Sequence, residues 1–169
     1  MSRLSRSPGR TVSYRKRGRK GYTLHISTKC SIAVHCLLFI HEYGQTEKVT
    51  SQLLAMSAGC NPVVIRNILS SLKKDGILST RQGIGGVTLC CPLEEITLLR
   101  IWQAVEPKFP SSLIGIHAAP SPFCPVGRNI HSVLTDSYAK VYQELCASME
   151  KITMLEIVER YHADGYTPK

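Results

Sequence analysis

At 169 residues and 18.7 kDa, with 43% hydrophobic and 20% charged residues, the chain has the length and balance of one globular domain with or without an extension, which excludes collagen-like and wholly disordered classes. No apolar run reaches the roughly 18 residues that span a bilayer, and no apolar stretch opens the chain as a secretory signal would. The formal net charge of +9 points to a polyanionic partner, and it is confined to one end: residues 1–29 hold nine Lys/Arg and no acid, whereas residues 30–169 hold twelve of each.

Residues 1–23 read as a basic, disordered arm, rich in Arg, Ser and Gly and without hydrophobic period. Three readings compete: a tail that grazes DNA, an organellar presequence lacking an apolar face, or translated upstream sequence. The last is the expectation, with the natural start near Leu24, because ordered patterning begins there. A first helix is expected from about Ser27, its cap, to Tyr43, with Ile26, Cys30, Ala33, Leu37 and Ile40 on one stripe and Gly44 as the stop. Thr50 caps a short helix, Ser51 to Ala58, and Gly59 breaks it. Asn61-Pro62 opens a third helix that ends at Asp75-Gly76, Asn as cap and Pro at the first helical position.

Two short β-prone runs follow, residues 77–81 and 87–90, around the glycine-rich turn 82–86. Thr97 caps a helix with Leu98, Ile101, Trp102 and Val105 inward. Residues 107–125 are a proline-rich loop. A long helix from about Val126 carries the stripe Ile130, Leu134, Tyr138, Val141, Leu145, Met149 and Ile152, spaced by threes and fours. Thr153-Met154-Leu155-Glu156 is a capping box for a last short helix.

The expected fold is therefore mainly α with a small β-hairpin: a winged helix-turn-helix followed by a long C-terminal dimerisation helix. The expected division is a basic arm (1–23), a winged helix-turn-helix DNA-binding domain (24–92), a linker helix and sensor-position loop (93–125), and the dimerisation helix with the short C-terminal helix (126–169). In the helix-turn-helix, Ala55 permits close helix packing, Gly59 meets the positive φ of the turn, and Ile65 locks the second helix to the first.

Ile65, Ile68, Leu69 and Leu72 then point inward and leave Asn61, Val63, Arg66, Asn67 and Ser70 outward near the helix start, where a recognition helix meets base edges. Arg suits guanine and Asn suits adenine through paired hydrogen bonds. Lys73 is placed for phosphate, as are Thr28, Lys29, Thr50, Ser51 and Gln52 at helix starts. Arg81 and Gln82 at the wing tip suit a narrow minor groove. Singly, each such residue is more often just a solvated side chain. As a set on this scaffold they make double-stranded DNA the expected partner.

Residues Ser27-Thr28-Lys29-Cys30 through Cys91-Pro92-Leu93-Glu94-Glu95-Ile96-Thr97-Leu98 resemble the Rrf-two-type bacterial winged-helix regulators, the group of IscR, NsrR and CymR. The Asn61-Pro62-Val63-Val64-Ile65-Arg66 helix start and Phe123-Cys124-Pro125-Val126-Gly127 resemble YwnA-like members in particular. The resemblance covers about residues 24–160. It implies a homodimeric transcriptional repressor on an inverted-repeat operator, with Ile130, Leu134, Tyr138, Val141 and Leu145 of the long helix in the dimer seam. The alternative for that stripe is packing within its own chain.

Cluster-binding members carry three cysteines in the loop before the long helix, and residues 107–125 hold only Cys124, with His117 and His131 nearby. No cofactor is expected, since an iron–sulfur cluster held by thiolates wants more of them. Seven cysteines without a C-x-x-C pair or a secretory signal read as reduced thiols in a cytoplasmic, nucleoid-associated protein. Cys30, Cys36 and Cys146 suit small core positions. Cys124 is the possible thiol sensor; otherwise the effector is unknown. No catalytic constellation appears, so an enzyme is not expected. Two other classes stay open: a nonspecific nucleic-acid binder driven by the arm, and a thiol-dependent enzyme with Cys124 as nucleophile and His117 or His131 as base. No membrane partner is expected.

Overall fold

The computed structural model of the chain describes residues 27–80, 85–106 and 114–165. The basic arm, Ile26, the wing-tip residues Arg81 and Gln82, and positions 107–113 of the proline-rich loop lie outside the described residues.

Helix α1 (Lys29–Tyr43) begins two residues later than the sequence suggests. Ser27 still serves its start, because its hydroxyl accepts the Lys29 N–H at 3.2 Å. Ala33, Cys36, Leu37 and Ile40 are buried along it. Helix α2 (Ser51–Ser57) is capped by Thr50, whose hydroxyl accepts from Leu53 N–H. Helix α3 (Pro62–Lys74) is capped by Asn61, whose Oδ1 accepts from Val63 N–H at 2.8 Å. Pro62 stands where a helix has no use for an N–H.

Between α2 and α3 the chain turns by 115°, within the range of a helix-turn-helix. Gly59 makes that turn with φ +61°, and Cys60 N–H reaches back to the Ala55 carbonyl at 3.1 Å. Ala55, itself buried, keeps the two helices close.

Strands β1 (Leu78–Thr80) and β2 (Val87–Leu89) pair antiparallel, Leu78 opposite Leu89 and Thr80 opposite Val87. They are shorter than the β-prone runs, although Cys90 N–H still bonds the Ile77 carbonyl. A 3₁₀ turn at Leu93–Glu95 leads to α4 (Leu98–Val105), capped by Thr97. Helix α5 (Pro125–Lys151) starts one residue before the expected point, with Cys124 in the cap position, and α6 (Met154–Ala163) is capped by Thr153.

One core takes residues from both sides of the boundary expected at residue 92. Leu37, Leu54, Ile65, Leu72 and Ile77 pack with Ile96, Ile101, Met154 and Val158. Backbone bonds return α6 to this core: Leu98 N–H to the Ile152 carbonyl at 2.8 Å and Met154 N–H to the Ile96 carbonyl at 2.9 Å. Helix α5 stays outside it. Its 27 residues span about 40 Å. None is buried, and Val126 and Val133 are 70% and 63% exposed. No single helix among the described residues is long and apolar enough to cross a membrane.

Candidate nucleic-acid interface

The 3.6-residue period of α3 decides which side chains reach solvent. With Ile65, Ile68, Leu69 and Leu72 inward, Asn61, Val63, Arg66, Asn67, Ser70, Lys73 and Lys74 are exposed. Arg66, Ser70 and Lys73 share one flank. They border a cleft of about 360 Å³ whose other walls are Thr50 and Ser51 at the α2 start and Gly86 and Val87 of the hairpin. Lys73 Nζ donates to Thr80 Oγ1 at 2.9 Å, which draws its ammonium toward the wing. Gln52 is exposed beside this cleft wall.

Asn67 follows Arg66 by one residue and therefore faces the other flank, where a cleft of about 180 Å³ is lined also by Lys29, Val64, Ser71 and Val105. Asn61 is engaged as a cap through its Oδ1, and Thr50 through its Oγ1 as acceptor; the Thr50 hydroxyl proton remains available to donate. Thr28 is exposed. Lys29 has a tertiary partner that its sequence neighbours do not reveal: its Nζ lies 3.2 Å from Glu106 Oε1 at the end of α4. The Ser27 hydrogen bond first, and then Lys29, hold the Glu106 carboxyl below the ordinary range.

Lys48 is a cation that the sequence reading missed. Its side chain runs under the wing, where a Cβ on Gly85 would stand 3.0 Å from Lys48 Cε. Gly85 and Gly86 both have positive φ, and a Cβ on Gly86 would stand 3.2 Å from the Val49 carbonyl oxygen. These glycines let the wing root lie directly on residues 48 and 49. The signal available in the sequence was Lys48's place two residues before the α2 cap.

The cysteines separate by environment. Burial, and next the neighbouring Cys60, push the Cys36 thiol up to about 12. Burial, and next Glu106, raise Cys30. Cys146 is half-buried, whereas Cys124 is exposed with extended backbone at the α5 cap position. His131 donates from Nε2 to the His117 carbonyl at 2.9 Å, so that nitrogen is occupied. Among the described residues no three His, Cys, Asp or Glu side chains are grouped to hold a metal ion.

The model of a family described as Rrf2, iron-dependent transcriptional regulator, matches residues 26–160. The HTH-type transcriptional regulator YwnA of Bacillus subtilis strain 168 is 34% identical over 120 residues, 71% of this chain and 86% of YwnA. The crystal structure of a transcriptional regulator from Lactobacillus plantarum superposes with TM-score 0.67 at 29% identity, covering 82% of this chain and 92% of that one. IscR of T. potens shares the fold, with TM-score 0.62 at 15% identity over 86% of this chain and 93% of its own.

Proposed function

Because the chain belongs to the Rrf2 family of transcriptional regulators, we propose that it is a repressor that binds, as a homodimer, an inverted-repeat operator in double-stranded DNA in the cytoplasm, on the nucleoid. The observation that carries this reading is the cleft in which Arg66, Ser70 and Lys73 of α3 meet Thr50, Ser51 and the wing. Polar and cationic groups from α3 and the start of α2 converge there, with Gly86 and Val87 of the hairpin as the third wall. Arg66 and Asn67 read bases, and Lys73, Lys48, Ser51 and Gln52 hold phosphates. The stripe Ile130, Leu134, Tyr138, Val141 and Leu145 supports pairing of two chains through α5, because a single chain leaves Val141 exposed and the others only half-buried.

The iron named in the family's description does not fit the residues here. Cys124 is the single cysteine of residues 107–125, the loop before α5, and His131 is tied to a backbone carbonyl. We assign the response to oxidants to Cys124, which is exposed at the start of α5; the other exposed thiol, Cys90, follows the hairpin.

Selection of genomic fragments by the full chain tests the reading. The fragments should share an inverted repeat with half-sites about one DNA turn, or 34 Å, apart. The preference should survive deletion of residues 1–23; its loss would make the arm the binder. Repeating the selection with diamide tests Cys124: wild type should lose binding and Cys124→Ser should keep it, whereas equal loss in both removes Cys124 from the switch.

A further inference from the structure

A cleft of about 190 Å³ lies where α1, the last residue of α2 and α6 meet, and none of the candidate DNA-contacting residues borders it. Its wall holds one carboxylate. The side chain of Glu42 is only 4% exposed, and its Oε1 accepts from His162 Nε2 at 2.9 Å, with His41 Nε2 at 4.0 Å. Both neighbours lie on the same oxygen, while a carboxylate offers about four acceptor positions.

Around it stand three aromatic rings. Phe39 and Tyr43 of α1 pack with centroids 4.7 Å apart, and Tyr161 of α6 adds a third. His35 closes the α2 end through a 2.9 Å contact from Nε2 to Ser57 Oγ.

A carboxylate so withdrawn from water calls for a compensating positive charge. Imidazole is a switchable cation and not a permanent one, and the His162 side chain is 40% exposed. Aromatic faces attract cations within a few ångströms of the ring. An engineered cavity of about 150 Å³ holds benzene, so this cleft has room for one ring with a short substituent.

We propose that this cleft binds a small organic ammonium ion, a single ring bearing a protonated amine, with the amine against Glu42 and the ring among Phe39, Tyr43 and Tyr161. Ser57 ends the first helix of the helix-turn-helix and Tyr161 belongs to the C-terminal helix, so the occupant touches both. Its role as an effector of operator binding rests on the repressor reading; its binding does not.

Calorimetry on the full chain compares three near-isosteric probes: 2-phenylethylamine, 2-phenylethanol and 3-phenylpropionate. The amine should bind at least about tenfold tighter than either of the others, as expected when a charge-assisted contact is added. Glu42→Gln should abolish that preference and leave the weak binding of the alcohol unchanged. Tyr161→Leu, which spares the carboxylate, should weaken the amine as well. Ring resonances of His35 and His162 should move during the amine titration. Equal binding of amine and alcohol, an amine affinity indifferent to Glu42→Gln, or no binding by the folded chain at millimolar amine overturns the proposal. Operator affinity measured with and without amine separates the two readings. A chain that binds amine but selects no operator leaves the cleft standing and removes the repressor; unchanged operator affinity removes only the effector role.

Discussion

Arg66 and Lys73 line the same cleft yet are held differently, and under the proposed function that difference separates their expected effects on DNA binding. Arg66 is exposed on α3, whereas Lys73 is bonded to Thr80 at the wing. A guanidinium presented to base edges discriminates; an ammonium held near the backbone path does not. Arg66→Ala should cost about 1–3 kcal/mol of discrimination at one or two positions of each half-site. Lys73→Ala should weaken all sequences alike and flatten the salt dependence. Binding measured on a mutated operator set at several salt concentrations checks both, and an intact base preference in Arg66→Ala would place the reading helix in another orientation.

Glu106 supplies a second test at this scale. Its carboxyl is depressed in the folded chain, by Ser27 and then Lys29, so its stabilisation is present above the ordinary carboxylate range and is lost as pH falls through the folded value. Lys29 is half exposed, which limits the pair to below about 1 kcal/mol. The stability difference between wild type and Glu106→Gln, read by urea unfolding, should be present at neutral pH and vanish in strong acid. A difference that does not change with pH would remove the ion pair as its source.

Among the elements, the end of α3 is fastened from outside by Arg100 of α4. Its Nε donates to Asp75 Oδ2 at 2.8 Å, and its other nitrogens reach the carbonyls of Asp75 and Glu95 at 3.1 and 3.3 Å. A cation among the last carbonyls of a helix also opposes the helix dipole. Arg100→Ala should lower stability by about 1–2 kcal/mol, less than full loss of buried charged bonds because the pair is one-third exposed. Arg100→Lys should recover only part of it, since one ammonium cannot span three acceptors in a fork. Chemical unfolding of the three proteins decides; full recovery by Lys would reduce the contact to simple charge. The same fastening holds the end of α3 against α4.

Taken whole, the described residues form one apolar core with one long helix outside it. Val141 is 48% exposed and Leu134 half-buried, a condition a single chain does not remedy. Apolar surface at helical spacing over about six turns favours a second copy. Leu134→Glu with Val141→Glu should give monomers by sedimentation, with greatly weakened operator binding and unchanged helix content. A double variant that stays dimeric would move the seam to another face.

What the sequence determined by itself lies within a few residues of each signal. Thr50, Asn61, Thr97 and Thr153 cap as read, because a cap is a contact to the N–H two or three positions on. The inward set of α3, the turn at Gly59 and the hairpin follow from periods and backbone preferences that are equally local. The partners that tertiary structure decided are remote: Arg100 with Asp75 across 25 positions, Glu42 with His162 across 120, and Lys29 with Glu106.

Nothing in residues 28–30 distinguishes a lysine for phosphate from one for a glutamate at the end of α4. Likewise, the apolar stripe of α5 does not say by itself whether the helix joins the core: α6, read only from its capping box, buries Met154 and Val158 there, and α5 buries none of its residues. That choice depends on the short backbone ladder between residues 96–98 and 152–154, which forms only after both segments have been brought together. Side-chain periodicity says which face of a helix must be covered; only docking says by what, because covering energy is nondirectional and the paired backbone groups supply the direction.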